Sequence, residues 1–464
     1  MRALNLNIGP DNSPLYRKIA DSLREKLQDQ VLKPGELLPS TRDLGRQLQV
    51  HRHTVTRALE ELVAEGWLDA EPGRGYRILS QQTNLNLEPQ IWPEFEIVKD
   101  LADEPDLQYA FPSGKPDLRL FPKKEFFKVL RSKIRESQPE ELLGYSSPAG
   151  SWNFRSQIKS YLARIRGLTR GELLITHGSQ EAILLLGLLF GRKAGSKIAV
   201  EQLGYPPAWD ALRLGGAELL GIPVDQDGIC VDVLEQRLKQ ERISLLYLTP
   251  LHQYPTTATL SPERRHKLLS LISEYSLPVI EDDYDHEFHY HGQANRPLAS
   301  DDQSGLVMYV STFSKLIYPS SRLGFCLVPP AIFEALKKLK RSSSRQNDLL
   351  IQETMADWMH SGGLEKHLRK MKRTYHHRLK HMSSVLDTMG LEYPKPSGGM
   401  SLWVNLGKES KQTLRKCQQQ GLNLRPGADF LLNSERDVHH IRLGFASTTE
   451  EEIDSGLAIL RACL

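Results

Sequence analysis

The sequence predicts an α/β protein with a small winged helical unit at its front. Two patterns carry that prediction. Before residue 65 apolar residues recur at helical spacing in three short runs, and two strand-like runs around a Pro-Gly turn follow. Beyond about residue 108, short apolar runs alternate with helical stretches, the pattern of a mostly parallel sheet flanked by helices. At 464 residues the chain is too long for one ordinary domain. It divides into residues 1–80, a polar, proline-punctuated linker at 81–107, and a large unit at 108–464 that ends in a smaller C-terminal part.

In the front unit, Ser13-Pro14 reads as a helix start, and Leu15, Ile19, Leu23 and Leu27 form one apolar stripe. Ser40 opens a second helix with Asp43 three residues on, a variant capping box, and Leu44 and Leu48 face inward. After a turn at Gln49-Val50, a third helix runs from about His51 to Glu65 on Val55, Leu59 and Leu62. Residues 67–70 and 76–79 read as two strands joined through Pro72-Gly73-Arg74-Gly75. Three helices and a hairpin make a winged helix-turn-helix, whose third helix enters the DNA major groove with its N-terminal residues at base edges. Arg52, His53, Thr54 and Arg57 occupy those positions, and Arg42 starts the second helix, where it meets phosphate. Residues 1–80 hold 12 Lys/Arg against 11 Asp/Glu, so basic charge is concentrated near the third helix and is not abundant. A charged helical face is ordinarily just solvated, so charge alone does not settle the partner.

In the large unit, strands are expected at 197–200, 243–248, 277–281, 306–310 and 323–328, with two more at 402–405 and 440–443. Helices are expected at 125–134, 154–165, 181–190 and 364–387. Lys315 lies just past the 306–310 run, where ligands bind in open α/β sheets. Thr312 and Ser314 flank it and Arg322 follows. Hydroxyls with a guanidinium suit a phosphate, and an amine forms a Schiff base with an aldehyde. Those demands converge on pyridoxal phosphate, which also needs a carboxylate facing its ring nitrogen. A strand ending Glu281-Asp282-Asp283-Tyr284-Asp285 supplies acids upstream. Ser179, ahead of an apolar helix, reads equally as an anion site or an N-cap.

Asp282-x-Tyr284, Ser314-Lys315 and Arg322-Leu-Gly-Phe together resemble the cofactor site of fold-type I aminotransferases. The front stretch, from Leu32-Lys-Pro-Gly-Glu-Leu-Leu-Pro-Ser-Thr-Arg-Asp-Leu to Thr54-Val-Thr-Arg-Ala-Leu, resembles the GntR DNA-binding domain over residues 14–79. The combination resembles MocR-type regulators of the GntR superfamily. The resemblance implies that Lys315 holds pyridoxal phosphate as an aldimine, that Ser179 and Gln180 bind its phosphate, and that Tyr205 stacks on its ring. Asp282 then holds the ring nitrogen, Tyr284 bonds the phenolic oxygen, and Arg442, in His440-Ile-Arg-Leu-Gly-Phe, clamps an effector carboxylate. It also implies a homodimer, with Tyr145 reaching the partner's phosphate. Three departures stand out. His51 and His53 replace the Ser and Asn usual in the family, Tyr254 replaces the aminotransferase asparagine, and Thr257 replaces a glycine.

Composition narrows the class. The chain is 39% hydrophobic and 25% charged with a net charge of +3, and no apolar run approaches a membrane span. Residues 1–10 lack a signal peptide's features, and the four cysteines have no metal-like spacing, so a cytoplasmic protein without metal is expected. Two functions fit. One is a DNA-binding transcription regulator that senses an amino acid, an amine or pyridoxal phosphate itself, on a double-stranded operator. The other is a working aminotransferase with an appended DNA-binding module. The sequence leaves the enzymatic status open.

Overall fold

The computed structural model describes residue 6 and residues 13–29, 31–79, 107–292, 295–407, 410–433 and 438–464. The expected linker lies outside them but for Leu107, and so does the N-terminal stretch 1–10 but for Leu6. The chain forms two compact units, Met1–Asp100 and Leu101–Leu464.

The first unit holds helices α1 (Leu15–Gln28), α2 (Thr41–Leu48) and α3 (Arg52–Ala64), then strands β1 (Leu68–Glu71) and β2 (Gly75–Ile78). Ile19, Leu23, Leu44, Val55, Leu59, Leu62 and Ile78 share one core. Leu15 departs from the expected stripe: it opens α1 and is 42% exposed. Pro14, not Ser13, takes the N-cap position of α1. Ser40 caps α2 by accepting from the Asp43 amide at 3.2 Å, as its spacing predicts. The α2–α3 turn closes because Gln49 adopts φ 54°, and Gly45 admits the Val50 carbonyl, which a Cβ would meet at 3.1 Å. His51 caps α3, its Nδ1 accepting from the His53 amide at 3.3 Å.

The second unit begins with the short strand β3 (Tyr109–Ala110), followed by helices at 123–136, 139–143 and 152–166. Strands β4 (Glu172–Thr176), β5 (Lys197–Glu201) and β6 (Glu218–Ile222) come next, then a tiny hairpin of β7 (Val224–Asp225) and β8 (Gly228–Ile229). After these come β9 (Leu245–Leu248), β10 (Val279–Asp282), β11 (Val307–Thr312) and β12 (Gly324–Val328). Last are β13 (Ser401–Asn405), β14 (Leu422–Asn423) and β15 (His440–Gly444). The main sheet runs β4-β12-β11-β10-β9-β5-β6. Its central strands bury both faces by alternation: Met308 and Val310 enter one core, Tyr309 the other.

The sheet is mostly parallel, as expected, and one strand makes it mixed: β12 is antiparallel to both β11 and β4. The connection from Thr312 to Gly324 carries only two short 3₁₀ turns. A parallel return needs a crossover of a dozen or more residues, usually a helix, so the chain doubles back instead. That return pairs Thr312 with Gly324 and Gly324 with Thr176. Residues 313–323 therefore leave and re-enter the sheet at one end, beside the C-terminal ends of β4, β10 and β11. The smaller part is not wholly C-terminal, since β3 pairs with β14.

Thr257 is buried at φ 64°, and its hydroxyl has no partner among the described residues. A β-branched residue in that conformation carries about 1–3 kcal/mol of strain. Thr257→Gly therefore raises the stability of the second unit by about 1 kcal/mol, after the entropic cost of glycine, in equilibrium chemical denaturation.

Candidate cofactor site and DNA-reading face

The strand ends meet around one cavity of about 330 Å³. Lys315, Asp282, Tyr284, Ser179, Gln180, Tyr205, Thr312 and Arg322 all line it. Lys315 ends a 3₁₀ turn that Thr312 caps, with the Ser314 amide donating to the Thr312 hydroxyl oxygen at 3.1 Å. Burial lowers the Lys315 pKa and Arg442 adds to that, while Asp285 and Asp282 oppose it. A lowered pKa raises the fraction of neutral, nucleophilic amine. Gly114, at φ 69°, stands against it: a Cβ there would lie 3.2 Å from Lys315 Nζ.

Asp282 ends β10, fully buried. Its Oδ2 accepts from the Tyr247 hydroxyl at 2.8 Å, and its Oδ1 has no partner among the described residues. Burial pushes its pKa up to about 7. An unpartnered carboxyl oxygen on a cavity wall is what a protonated ring nitrogen requires.

The opposite wall is the N-terminus of helix 178–191. Gly178 turns at φ 73°, and a Cβ there would meet Arg322 Nη2 at 3.1 Å. Arg322 donates from that nitrogen to the His177 carbonyl at 2.7 Å, which fixes the guanidinium beside the helix amides. Gly324 is equally constrained, since its Cβ would fall 2.4 Å from the Gly178 carbonyl carbon. Gln180 is spent in part on structure, its amide donating to the Pro207 carbonyl. Amine, carboxyl and anion cradle thus fit pyridoxal phosphate at its aldehyde, ring nitrogen and phosphate.

Tyr284 lines the cavity, donates its hydroxyl proton to the His252 carbonyl at 3.0 Å and accepts from Arg442 Nη2 at 3.5 Å. One expected residue is placed differently. Arg442 does not line the cavity. It is 2% exposed, its Nε donates to Ser401 at 2.8 Å, and its guanidinium carbon sits 3.8 Å from the Tyr254 ring centre. Tyr254, which does line the cavity, covers it. Tyr145 is 82% exposed with Arg345 over its ring and does not line the cavity of its own chain.

Sequence reasoning missed Gly114, Tyr247 and Arg425. Tyr247 lies inside an apolar strand run, where its hydroxyl carries no separate signal. Gly114 and Arg425 lie in loops without a motif.

On the first unit, Arg42, Arg52, His53 and Arg57 are exposed and Thr54 is half-buried. Arg52 Nε donates to Thr41 at 3.2 Å, tying α3 to α2. His53 stacks on His51 at 5.7 Å, nearly parallel. Arg57 rests on Tyr16, 4.0 Å from the ring centre, so it is partly engaged within the unit.

The Asp282 carboxyl yields a pH test. Its folded pKa of about 7 exceeds its ordinary value of 3.8. The folded state therefore holds an extra proton between those values, so its contribution to stability is full below pH 4 and lost as pH rises through 7. In cofactor-free protein, Asp282→Asn flattens the fall of stability across that window by up to about 1.4 kcal/mol per pH unit in denaturation series.

Residues 117–460 match the family of class I and II aminotransferases, and residues 15–78 match the bacterial regulatory proteins of the gntR family. The probable rhizopine catabolism regulatory protein MocR of Rhizobium meliloti is 27% identical over 97% of this chain and 93% of its own. The 2-aminoadipate transaminase of Thermus thermophilus is 31% identical over 76% of this chain and 89% of its own. The kynurenine aminotransferase of Pyrococcus horikoshii, solved with PMP, superposes with a TM-score of 0.73 at 29% identity, over 77% of this chain and 90% of its own. The cofactor of the site is pyridoxal phosphate, and no helix among the described residues is long and apolar enough to cross a membrane. The chain belongs to the class I and II aminotransferase family, fused behind a GntR-family DNA-binding unit, and is a MocR-type transcription regulator.

Proposed function

We propose that the cofactor domain, residues 108–464, is a sensor, and that an incoming amine or amino acid is its signal, delivered to the DNA reader in residues 1–80. The observation that carries this reading is the company Lys315 keeps. A buried amine, an unpartnered Asp282 oxygen and the Ser179–Arg322 cradle share one cavity, on a chain that also has a capped reading helix.

When bound, pyridoxal phosphate supplies an aldehyde carbon and an electron-withdrawing ring. Lys315 would be the amine that holds that carbon. Asp282 would hold the ring-nitrogen proton, and the helix 178–191 amides with Ser179, Thr312 and Arg322 would hold the phosphate. Tyr205 would pack against the ring. Tyr254 covers Arg442 until a carboxylate draws the guanidinium into a bidentate pair. An effector then biases the regulator only through contacts that differ between two arrangements of the domain.

Tyr145, exposed on its own chain, supports a homodimer in which it serves the partner's site. Two winged units then read paired half-sites. Arg52, His53 and Thr54 face bases, while Arg42 and Arg57 hold phosphate or the unit itself. A working aminotransferase is the second reading, favoured by the complete set of Lys315, Asp282 and Arg442. Turnover of roughly 1–1000 per second across amines and keto acids, without specific DNA binding, would select it.

Borohydride reduction of the cofactor-loaded protein, followed by peptide mass mapping, is expected to place the adduct on Lys315. Lys315→Ala is expected to lose both the adduct and the operator response to amines. A reduced adduct on another lysine sinks the reading. Arg52→Ala is expected to weaken operator binding by about 1–3 kcal/mol in footprinting titrations while cofactor loading stays intact.

A further inference from the structure

Lys340 is a cation that neither the cofactor chemistry nor the sheet accounts for. It lies in the last turn of the helix Pro330–Ser343, is 0% exposed, and does not line the cavity. Its Nζ donates to Glu181 Oε2 at 2.8 Å and to the Ser344 hydroxyl oxygen at 3.3 Å, and Ser344 in turn donates to Glu181 Oε1. A lysine is rarely taken out of water entirely, and a buried ion pair is weak evidence for stability. The meaning of the pair lies in what Glu181 touches.

Glu181 stands in the first turn of helix 178–191, one residue past the cavity wall at 178–180. Its Oε2 accepts from the His177 amide at 2.7 Å and lies 3.1 Å from His177 Nδ1. The His177 carbonyl accepts from Arg322 Nη2 at 2.7 Å. His177 is thus held on both sides, at its amide by Glu181 and at its carbonyl by Arg322. Three successive contacts run from a buried amine to the guanidinium of the anion cradle.

The arrangement also carries an electrostatic conflict. Burial pushes the Glu181 carboxyl up, but the His177 and Lys340 contacts prevail and hold it well below its usual range, so it is ionised. An anion in the first helical turn repels a phosphate held at that same helix start, and more strongly out of water. Lys340 cancels the charge without entering the cavity.

From this geometry, and resting on the phosphate cradle proposed above, we infer that Glu181 and Lys340 are positioning residues for the cofactor phosphate. Glu181 fixes the His177 turn that orients Arg322 and the helix amides, and Lys340 neutralises the carboxylate that does so.

The test compares pyridoxal phosphate with pyridoxal, which lacks the phosphate, on full-length protein freed of cofactor. Both dissociation constants are read by absorbance titration, and the ratio of pyridoxal to pyridoxal phosphate isolates the share of the phosphate. Lys340→Met lowers that ratio about 10- to 100-fold and leaves pyridoxal binding within about twofold. Lys340→Gln, which keeps a donor but no charge, gives the same fall where Lys340→Met does not fold. Lys340→Met combined with Glu181→Gln removes both charges, keeps an acceptor for His177, and returns the ratio to within about threefold of wild type. A wild-type ratio in the single variants, or a loss shared equally by both ligands, assigns the pair to folding alone and overturns the inference. A deficit that the double variant keeps overturns it too. Wild-type protein without any preference for the phosphate-bearing ligand is a different failure, that of the cradle itself.

Discussion

A carboxyl and an amine are both held out of water at the same end of one sheet, and the rest of the domain follows from that. Burial pushes the Asp282 carboxyl up to about 7 and, together with the Arg442 charge, lowers the Lys315 amine. Pyridoxal phosphate would suit both groups: the Asp282 carboxylate would face the proton on the ring nitrogen, and the Lys315 amine would hold the aldehyde carbon. Parallel strands β9 to β11 deliver these groups to a common edge, and the doubling back of β12 adds Arg322 and Gly324 to it.

The acids 281–285 look like one cluster in sequence and act as four separate devices. Glu281 accepts from the Leu298 and Ala299 amides at 2.8 and 2.9 Å, which anchors the start of the short helix Leu298–Asp301. Asp282, on the opposite side of the strand, faces the cavity. Burial pushes Asp283 up, but the Arg166 guanidinium at 2.7 Å prevails and holds it below its usual range. Asp285 takes the His252 ring at 2.7 Å, and His252 also receives the Tyr284 hydroxyl on its carbonyl. The loop that carries Tyr254 is thereby pinned to the strand that carries Asp282. A second pin comes from Glu201, which holds the Thr249 hydroxyl at 2.8 Å while that hydroxyl accepts from the Tyr254 amide. Leaving any one of these buried carboxylates unpaired would be far more damaging than the pair itself is stabilising.

What was legible in the sequence is what local pattern controls. Helices α1 to α3 and strands β9 to β11 announce themselves by apolar spacing, and Lys315 and Asp282 by their place just past such runs. Thr257 showed itself as a misplaced residue, and its φ of 64° gives the reason. β4 and β6 were missed because both open on Glu-Leu-Leu, residues that favour helix, and periodicity does not separate so short a run from a helix segment. The reversal of β12 depends on a connection length rather than on any residue type. Tyr247 and Arg425 reach the cavity only through tertiary folding, so nothing in their neighbourhoods marks them.

Arg442 is the sharpest case, because its chemistry was readable and its setting was not. The strand that bears it, β15, pairs with β13, and Ser401 on that partner holds its Nε. Its Nη2 reaches the Tyr284 hydroxyl at 3.5 Å, and its face lies on Tyr254, a contact worth about 0.5–2 kcal/mol. A carboxylate offers charge-assisted hydrogen bonds of about 1.5–3 kcal/mol each, and Nη1 still lacks an acceptor among the described residues. On the proposed sensing reading, exchange of ring for carboxylate would be downhill for a ligand that carries one, and neutral for a ligand that does not. Because Tyr254 also touches Tyr205, Tyr284 and Phe430, that exchange repacks the whole aromatic wall. A site built this way distinguishes ligands by what they do to one ring, which is the differential contact that a sensor needs and a simple binding pocket lacks.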